Sequence, residues 1–257
     1  YERDFVSRTL AFYNDELYLR GKDGKLTKID VPNSVNKAVH NQWLTLELRE
    51  PWKSKDRSYE AGSLLVIDFD RFMAGDREFD VAFAPDEHTS LSGYTWTKQH
   101  LVLTLLNDVK NKIRIMTPIG EGSWRQSLLV GAPAVGTVDV SAIDADIGDA
   151  LWMTTTDFLT PTTLSMVEIG QQPQKLKSMP AFFKADGLAT EQQFATSKDG
   201  TKVPYFIVRP GFLPLDGSTP TRASAIYTAL VAIAGNSTLK FFATDNHGID
   251  GPVETAN

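Results

Sequence analysis

The residues that could carry out acyl-transfer chemistry in this sequence are its serines and histidines. A hydrolase that uses a serine nucleophile on an α/β fold needs a Gly-x-Ser-x-Gly turn, which exposes the serine between a strand and a helix. The nearest fragment is Gly235-Asn236-Ser237-Thr238-Leu239, which lacks the second glycine. We therefore do not predict Ser237 as a nucleophile, and we interpret the overlapping Asn-Ser-Thr glycosylation pattern as a chance occurrence.

The four histidines are His40, His88, His100 and His247, and none stands at the His-x-x-x-His spacing that favours a shared metal. A catalytic histidine needs a nucleophile and an orienting acid, and nothing around His247 supplies such a set. We interpret His40, His88 and His100 as surface or turn residues. The sequence contains no cysteine, which excludes disulfides, thiol catalysis and thiolate metal sites. It therefore predicts no catalytic residue, no cofactor and no metal in this chain.

Four aspartates, Asp139, Asp144, Asp146 and Asp149, begin like a calcium-binding loop. In such a loop the sixth residue is glycine and the twelfth is a bidentate glutamate. Counted from Asp144, these places hold Asp149 and Thr155. We therefore interpret the acidic run as a solvated loop between strands.

Tryptophans recur about once in each group of predicted strands, at Trp43, Trp52, Trp96, Trp124 and Trp152. We expect them to pack between sheets, because aromatic rings fill large volumes there; a stacking platform for a ligand is the alternative. Several arginines are candidates for lining a central channel and attracting peptide termini: Arg3, Arg8, Arg20, Arg49 and Arg57.

The elements that must position these side chains have the pattern of short strands separated by turn residues. The predicted strands are residues 16–20, 25–30, 43–48, 63–69, 79–83, 101–106, 112–116, 127–130, 150–154, 163–169 and 176–179. Residues 21–24, Gly-Lys-Asp-Gly, predict a hairpin turn, whereas residues 50–59 are predicted to form a long loop. Groups of three or four strands over about 40 to 50 residues favour β-propeller blades, with a β-sandwich as the alternative.

The pattern changes near residue 179. Residues 191–197 and 202–208 are predicted strands on either side of Lys198-Asp199-Gly200-Thr201, whose Asp-Gly pair suits a tight turn. Residues 222–234 are alanine-rich and have apolar residues at helical spacing, and residues 239–243 predict a short strand.

Composition excludes several classes of protein. The chain has 257 residues, a net charge of −6 and no long basic run, which argues against binding to nucleic acid or anionic lipid. No stretch approaches the ~20 apolar residues of a membrane helix. The N-terminal residues are not a signal peptide and lack an initiator methionine, so we expect the chain to begin inside a longer protein, cytoplasmic or periplasmic.

Three segments resemble the prolyl oligopeptidase family of serine peptidases (family S9). Residues 195–208 (ATSKDGTKVPYFIV) are similar to the segment that links the propeller of that family to its peptidase domain. Residues 158–164 (FLTPTTL) are similar to its last-blade motif, and residues 59–65 (YEAGSLL) to another blade segment. The resemblance covers residues 1–210 in the order of the family.

This resemblance implies a seven-bladed propeller that admits short peptides to an α/β-hydrolase domain carrying Ser, Asp and His. The chain would hold about four blades in residues 1–186, and residues 187–257 would contain linker strands and a short α/β remnant of the hydrolase domain. Cleavage after proline or a related residue would use a triad outside this chain, with short peptides and the hydrolase domain as partners. After Pro220 the sequence departs from the family, since residues 221–227 lack its glycines. A stand-alone propeller that binds a protein or peptide is the alternative, and hydrolytic activity of residues 222–257 is the least favoured interpretation.

Overall fold

The structure is a computed structural model that describes residues 1–120 and 122–211, and the backbone of two short strands nearer the C-terminus. Contacts divide the chain into two compact units. The first contains Tyr1–Thr155 and Leu164–Leu176, and the second contains Thr156–Thr163 and Lys177–Asn257. Apart from one short helix, the regular elements of the described part are all β-strands, which confirms the predicted all-β class. No helix in this part is both long and apolar enough to cross a membrane.

The first sheet has three strands in the order β1-β2-β3. These strands are β1 (Asp4–Ala11), β2 (Asn14–Arg20) and β3 (Leu26–Lys28). The predicted hairpin between the last two is confirmed: the Gly21 N–H donates to the Lys25 carbonyl at 2.9 Å, and Gly24 has a φ of 79°. A positive φ is freely available to glycine alone, which explains the residue at this turn.

The second sheet has four strands in the order β4-β5-β8-β9, with a separate hairpin inserted between β5 and β8. The elements are β4 (Asn36–His40), β5 (Trp43–Glu47), β6 (Trp52–Ser54), β7 (Arg57–Tyr59), β8 (Leu64–Asp68), the helix α1 (Phe69–Met73) and β9 (Asp80–Phe83).

The prediction that residues 50–59 form a loop is wrong, because β6 and β7 pair there as a hairpin. Lys55 adopts a positive φ of 50° at its turn, a position where the usual Asn-Gly or Asp-Gly signal is absent. The hairpin is held by aromatic packing: the rings of Trp52 and Tyr59 lie 5.3 and 6.0 Å from the ring of Phe79.

The short helix α1 was not among the predicted elements. The Asp68 carboxylate caps it, accepting hydrogen bonds from the backbone N–H groups of Asp70 and Arg71. Phe69 and Phe72, three residues apart, are its buried side chains. The helix therefore closes the end of β8, and the strand predicted over residues 63–69 ends at Asp68.

The third and fourth sheets each have four strands in chain order. The third contains β10 (Thr89–Trp96), β11 (Leu101–Asn107), β12 (Lys110–Gly120) and β13 (Ser123–Leu128). The fourth contains β14 (Thr137–Ala142), β15 (Ala150–Thr156), β16 (Thr163–Glu168) and β17 (Gln174–Ser178). The strand predicted over residues 127–130 is shifted, because β13 has already ended at Leu128 and Leu129 is buried beyond it.

The second and third sheets are buried on both faces. Leu44 and Leu46 of β5 pack towards the first sheet, whereas Leu64 and Val66 of β8 pack towards the third. The third sheet repeats this arrangement, with Leu101, Leu103 and Leu105 facing the second sheet and Val102, Ile113 and Ile115 facing the fourth. Sheets stacked in series, each covering the next, form partial propeller blades and contradict the two-sheet sandwich.

The second unit contains a long hairpin of β18 (Leu188–Thr196) and β19 (Lys202–Pro210), as predicted. At its turn the Ser197 N–H donates to the Thr201 carbonyl at 2.8 Å, and Gly200 has a φ of 90°. Beside this hairpin the rings of Phe158 and Phe206 lie 5.2 Å apart. Two further strands, β20 (Leu239–Phe241) and β21 (Glu254–Ala256), pair with each other. The helix predicted over residues 222–234 lies outside the described residues.

Candidate functional site

A cavity of about 630 Å³ opens at one end of the second and third sheets. Its position follows from strand direction: β5 starts at Trp43, which pairs with Asp68 at the end of β8, and β9 starts nearby at Asp80. The turn between β12 and β13 contributes Gly120 and Gly122 from the third sheet. Strand ends of two adjacent sheets therefore build the cavity, which we call the end cavity.

Among the described residues, three carboxylates line the end cavity: Asp68, Glu78 and Asp80. The Asp68 carboxylate is fixed as the cap of α1, accepting from two backbone N–H groups at 3.0 Å. The Asp80 carboxylate accepts a hydrogen bond of 3.0 Å from the indole N–H of Trp124. Glu78 is exposed and lies 4.0 Å from the Lys55 ammonium. Two of the three carboxylates are therefore held in place by neutral donors.

Among the described residues, the cation that lines the end cavity is Arg71, which is paired with an acid. Its Nε and terminal nitrogen donate to the same oxygen of Asp76, at 3.0 and 2.7 Å. The backbone N–H of Glu78 and the Arg71 guanidinium together lower the pKa of the Asp76 carboxyl. Because the charges of Arg71 and Asp76 offset each other, the lining carboxylates give the end cavity a negative character.

Next to the end cavity, His40, Trp43, Trp96 and Trp124 form a contiguous aromatic cluster. Trp43 and Trp96 are stacked with centroids 6.1 Å apart, and Trp124 lies 5.1 Å from Trp43. The Trp96 indole N–H donates to the Thr45 hydroxyl at 2.9 Å, which ties the third sheet to the second. Packing of these tryptophans between sheets is confirmed, and Trp43 also lines the cavity.

Trp52 also packs against aromatic neighbours, but the prediction is wrong for Trp152, whose residue is 38% exposed. Its neighbours Leu151 and Met153 are buried towards the third sheet. Because side chains alternate along a strand, Trp152 points to the opposite face of the fourth sheet.

The histidines are dispersed. His40 is half-buried and stacked on Trp96 at 5.5 Å, so it is not the surface residue predicted, and burial lowers its pKa. His88 is exposed and lies 3.0 Å from the Asp108 carboxylate. His100 is within 2.8 Å of the Thr117 hydroxyl. His247 and Ser237 lie outside the described residues. Within the part described, no histidine is hydrogen-bonded to a serine.

The acidic run is only partly a solvated loop. Asp144 and Asp146 are exposed in a turn, whereas Asp139 belongs to β14. Asp149 accepts hydrogen bonds from the Thr97 hydroxyl at 2.7 Å and the Gln99 N–H at 2.8 Å, and so connects the fourth sheet to the turn after β10. In residues 1–120 and 122–211, no group of three or more His, Asp or Glu side chains is arranged to hold a metal.

The arginines proposed for a channel make contacts within the chain. Arg3 bonds Asp70 at 2.9 Å and lies over the Phe69 ring, and Arg20 pairs with Asp4 at 2.5 Å. Arg8 lies 3.9 Å from Glu16, while Arg49 and Arg57 lie over the rings of Tyr13 and Tyr59. Their place in a channel stays a prediction.

Sequence reasoning missed the carboxylates of the end cavity. Asp68 carries a detectable signal, since an aspartate before a short apolar segment is a typical helix N-cap. Glu78 and Asp80 carry none, because only the tertiary structure places them in the same cavity as Asp68. The lining can bind and orient a charged group, and among the described residues it contains no serine or histidine for nucleophilic catalysis.

Comparison with known proteins identifies relatives over most of the chain. An uncharacterized peptidase of Sinorhizobium fredii (y4nA) is 34% identical over 229 residues, covering 86% of this chain and 31% of that protein. An uncharacterized peptidase of Rickettsia prowazekii (RP174) is 26% identical over 228 residues, with the same coverage. The chain thus spans about a third of the length of the curated relatives it matches.

Solved structures show the same fold. A post-proline cleaving enzyme from Rickettsia typhi matches with a TM-score of 0.65 and 23% identity, over 85% of this chain and 32% of that one. Prolyl oligopeptidase B from Galerina marginata matches with a TM-score of 0.59 and 18% identity, over 84% of this chain and 30% of that one.

A separate match concerns the C-terminal segment. Residues 214–255 match the family described as chitobiase/beta-hexosaminidase C-terminal domain. This segment overlaps the part of the sequence, after Pro220, that departs from the prolyl oligopeptidase pattern. The resemblance carried by residues 59–65, 158–164 and 195–208 is confirmed by the relatives and the structures together.

Proposed function

We propose that this chain, which is related to the prolyl oligopeptidase family, is the propeller section that controls access of short peptides to a serine peptidase domain. The main support is the 34% identity to a peptidase over 86% of this chain, which spans only 31% of that relative. In this proposal, the residues that catalyse peptide hydrolysis lie outside this section, in the remainder of the protein. The predicted division at residues 186 and 187 is part of this proposal.

The stacked sheets support a gating role on physical grounds. Each middle sheet has both faces buried, so the sheets form a rigid wall and not a reactive surface. A rigid wall of this kind can exclude folded proteins by size while short peptides pass. The intact protein would cleave peptides after proline or a related residue, with a serine, an aspartate and a histidine supplied outside this chain.

The proposal is tested by incubating the purified chain with a fluorophosphonate probe and a proline-containing chromogenic peptide. We expect neither labelling nor hydrolysis. The coding sequence downstream should contain a Gly-x-Ser-x-Gly turn in frame, and the longer protein should be labelled at that serine. Labelling of a serine in the isolated chain would contradict the proposed division of labour.

The alternative is a stand-alone propeller module that binds a protein or peptide. The match of residues 214–255 to a domain family unrelated in name to peptidases favours it, because that segment is where a hydrolase domain would begin. A downstream reading frame without a Gly-x-Ser-x-Gly turn would support this alternative over the peptidase section. The fold alone is compatible with both functions.

A further inference from the structure

We propose that the end cavity binds the cationic side chain of a basic residue in a peptide. This inference rests on the proposed function, since it assumes that peptides reach the sheets. It is carried by a cavity of about 630 Å³, by two lining carboxylates, Asp68 and Asp80, that have no cationic partner among the described residues, and by an aromatic wall. Ligand sites commonly combine such a cavity with a few fixed polar groups.

The carboxylate of Asp80 is the central group. One of its oxygens, Oδ2, accepts the Trp124 N–H, which fixes its orientation. The other oxygen, Oδ1, lies beside Gly122, where a Cβ would approach to 3.6 Å. Within residues 1–120 and 122–211, Asp80 has no cationic partner at salt-bridge distance. It therefore presents a positioned negative charge at the cavity wall.

The neighbouring charges add to that of Asp80. The Asp68 carboxylate is held by neutral backbone donors. The Glu78 carboxylate lies 4.0 Å from the Lys55 ammonium, a long distance for an ion pair. Arg71 is engaged by Asp76 and so does not offset them. The negative charges of this lining favour a cation over a neutral or anionic ligand.

Trp43, which lines the end cavity, favours a long basic side chain as the ligand. A tryptophan ring attracts cations to its face and packs against the methylene groups of long basic side chains. Trp43 is backed by Trp96 and Trp124 in the aromatic cluster, so its ring is held in place. A guanidinium on a three-carbon stem combines a charge for the carboxylates with an apolar length for the tryptophan.

The test is calorimetric titration of the whole 257-residue chain with Nα-acetyl-arginine amide, whose only charge is on its side chain. We expect a dissociation constant on the order of a millimolar, typical of a ligand of this size. Nα-acetyl-citrulline amide, the uncharged isostere, should not bind measurably. Intrinsic tryptophan fluorescence should change with arginine and not with citrulline.

The informative variant combines Glu78→Gln with Asp80→Asn, which removes two charges while asparagine keeps an oxygen acceptor for Trp124. We expect binding at least about tenfold weaker, because charged partners at contact distance contribute on this scale. The matched control is Glu87→Gln, an exposed acid beyond the opposite end of β9. It should bind arginine like the unmodified chain, and thermal unfolding should show all variants folded.

Equal binding of citrulline, unchanged affinity in the double variant, or no binding of arginine would each overturn the proposal. Glycine amide, which carries only an amino-group cation, serves as a further arm. If it binds as tightly as the arginine probe, the site captures a peptide amino terminus and the basic side chain is the wrong ligand. Because binding is measured without catalysis, failure of the longer protein to cleave proline peptides would refute the proposed function and leave this result standing.

Discussion

At the scale of single residues, Lys37 of β4 is a buried cation that ties the first and second sheets together. Its side chain is 2% exposed, and its ammonium donates to the Asp15 carboxylate at 2.9 Å. It also donates to the backbone carbonyls of Asp15 and Val35 at 3.0 and 2.8 Å. A buried charge with this many partners stabilises the contact between the two sheets.

Lys37→Met should destabilise the chain by about 3 kcal/mol, because methionine keeps the apolar stem but leaves the carboxylate and carbonyls without a donor. The free energy of unfolding in urea measures the loss. Lys53→Met, an exposed lysine of β6, is the control and should change stability by less than about 0.5 kcal/mol. Equal losses in both variants would show that the buried contacts of Lys37 contribute nothing.

His40 makes the stability depend on pH. Burial lowers its pKa below the ordinary value of 6.5, so the unfolded chain takes up a proton more readily than the folded chain. The stabilisation is complete above pH 6.5 and decreases as the pH falls through the lowered pKa of the folded state. His40→Phe retains an aromatic ring against Trp96 and should flatten this decrease. The free energy of unfolding of both proteins is measured between pH 7 and pH 5. The same dependence on pH in both would contradict a contribution of His40.

At the scale of elements, the connection between β13 and β14 depends on Gly131. This glycine has a φ of 76°, and a Cβ at this position would lie 2.3 Å from Cδ of Pro173, between β16 and β17. Only a residue without a side chain permits the connection to pass so close to the fourth sheet.

Gly131→Ala should destabilise the chain by about 3 kcal/mol, from backbone strain and steric overlap together. Gly170→Ala is the matched control, because Gly170 also has a positive φ, of 92°, and has no atom within 4 Å of the added carbon. The free energy of unfolding of Gly170→Ala should fall by only about 1 kcal/mol. Thermal unfolding of the two variants separates strain from overlap, and similar losses would refute the close approach to Pro173.

At the scale of the whole molecule, the first and fourth sheets each have a face with exposed apolar side chains. Trp152 of β15 exposes its ring on one such face, and Leu26 of β3 is 46% exposed in the first sheet. Exposed apolar side chains on terminal sheets promote association. We therefore expect the isolated chain to form oligomers or to be poorly soluble.

Trp152→Ser should shift the isolated chain towards the monomer, because it removes the largest apolar side chain from that face. Light scattering coupled to size-exclusion chromatography measures the mass. Ile147→Ser is the control: Ile147 is 74% exposed but lies in a turn, so its loss should leave association unchanged. A monodisperse monomer of the unmodified chain would refute the expectation.

Much of the fold could be predicted from local sequence. Continuous apolar runs in β8 and β11 predict strands buried on both faces, and this is confirmed by their packing against two sheets. Four of the strands that were not predicted, β1, β4, β10 and β14, are each the first strand of their sheet. They are partly exposed and rich in polar residues, so their pairing with a neighbour, and not their own pattern, makes them strands.

The sequence by itself determined the strands with strong apolar patterns, the Gly21–Gly24 and Ser197–Thr201 turns, and the family, since each depends on residues adjacent in the chain. Only the tertiary structure decided that Asp68, Glu78 and Asp80 share a cavity and that Trp152 faces away from the core. Asp68 and Asp80 are 12 positions apart, and both line the cavity because β8 ends and its antiparallel partner β9 starts at the same edge of the sheet. Contacts of this kind depend on sheet pairing and stacking, which spacing along a chain does not encode.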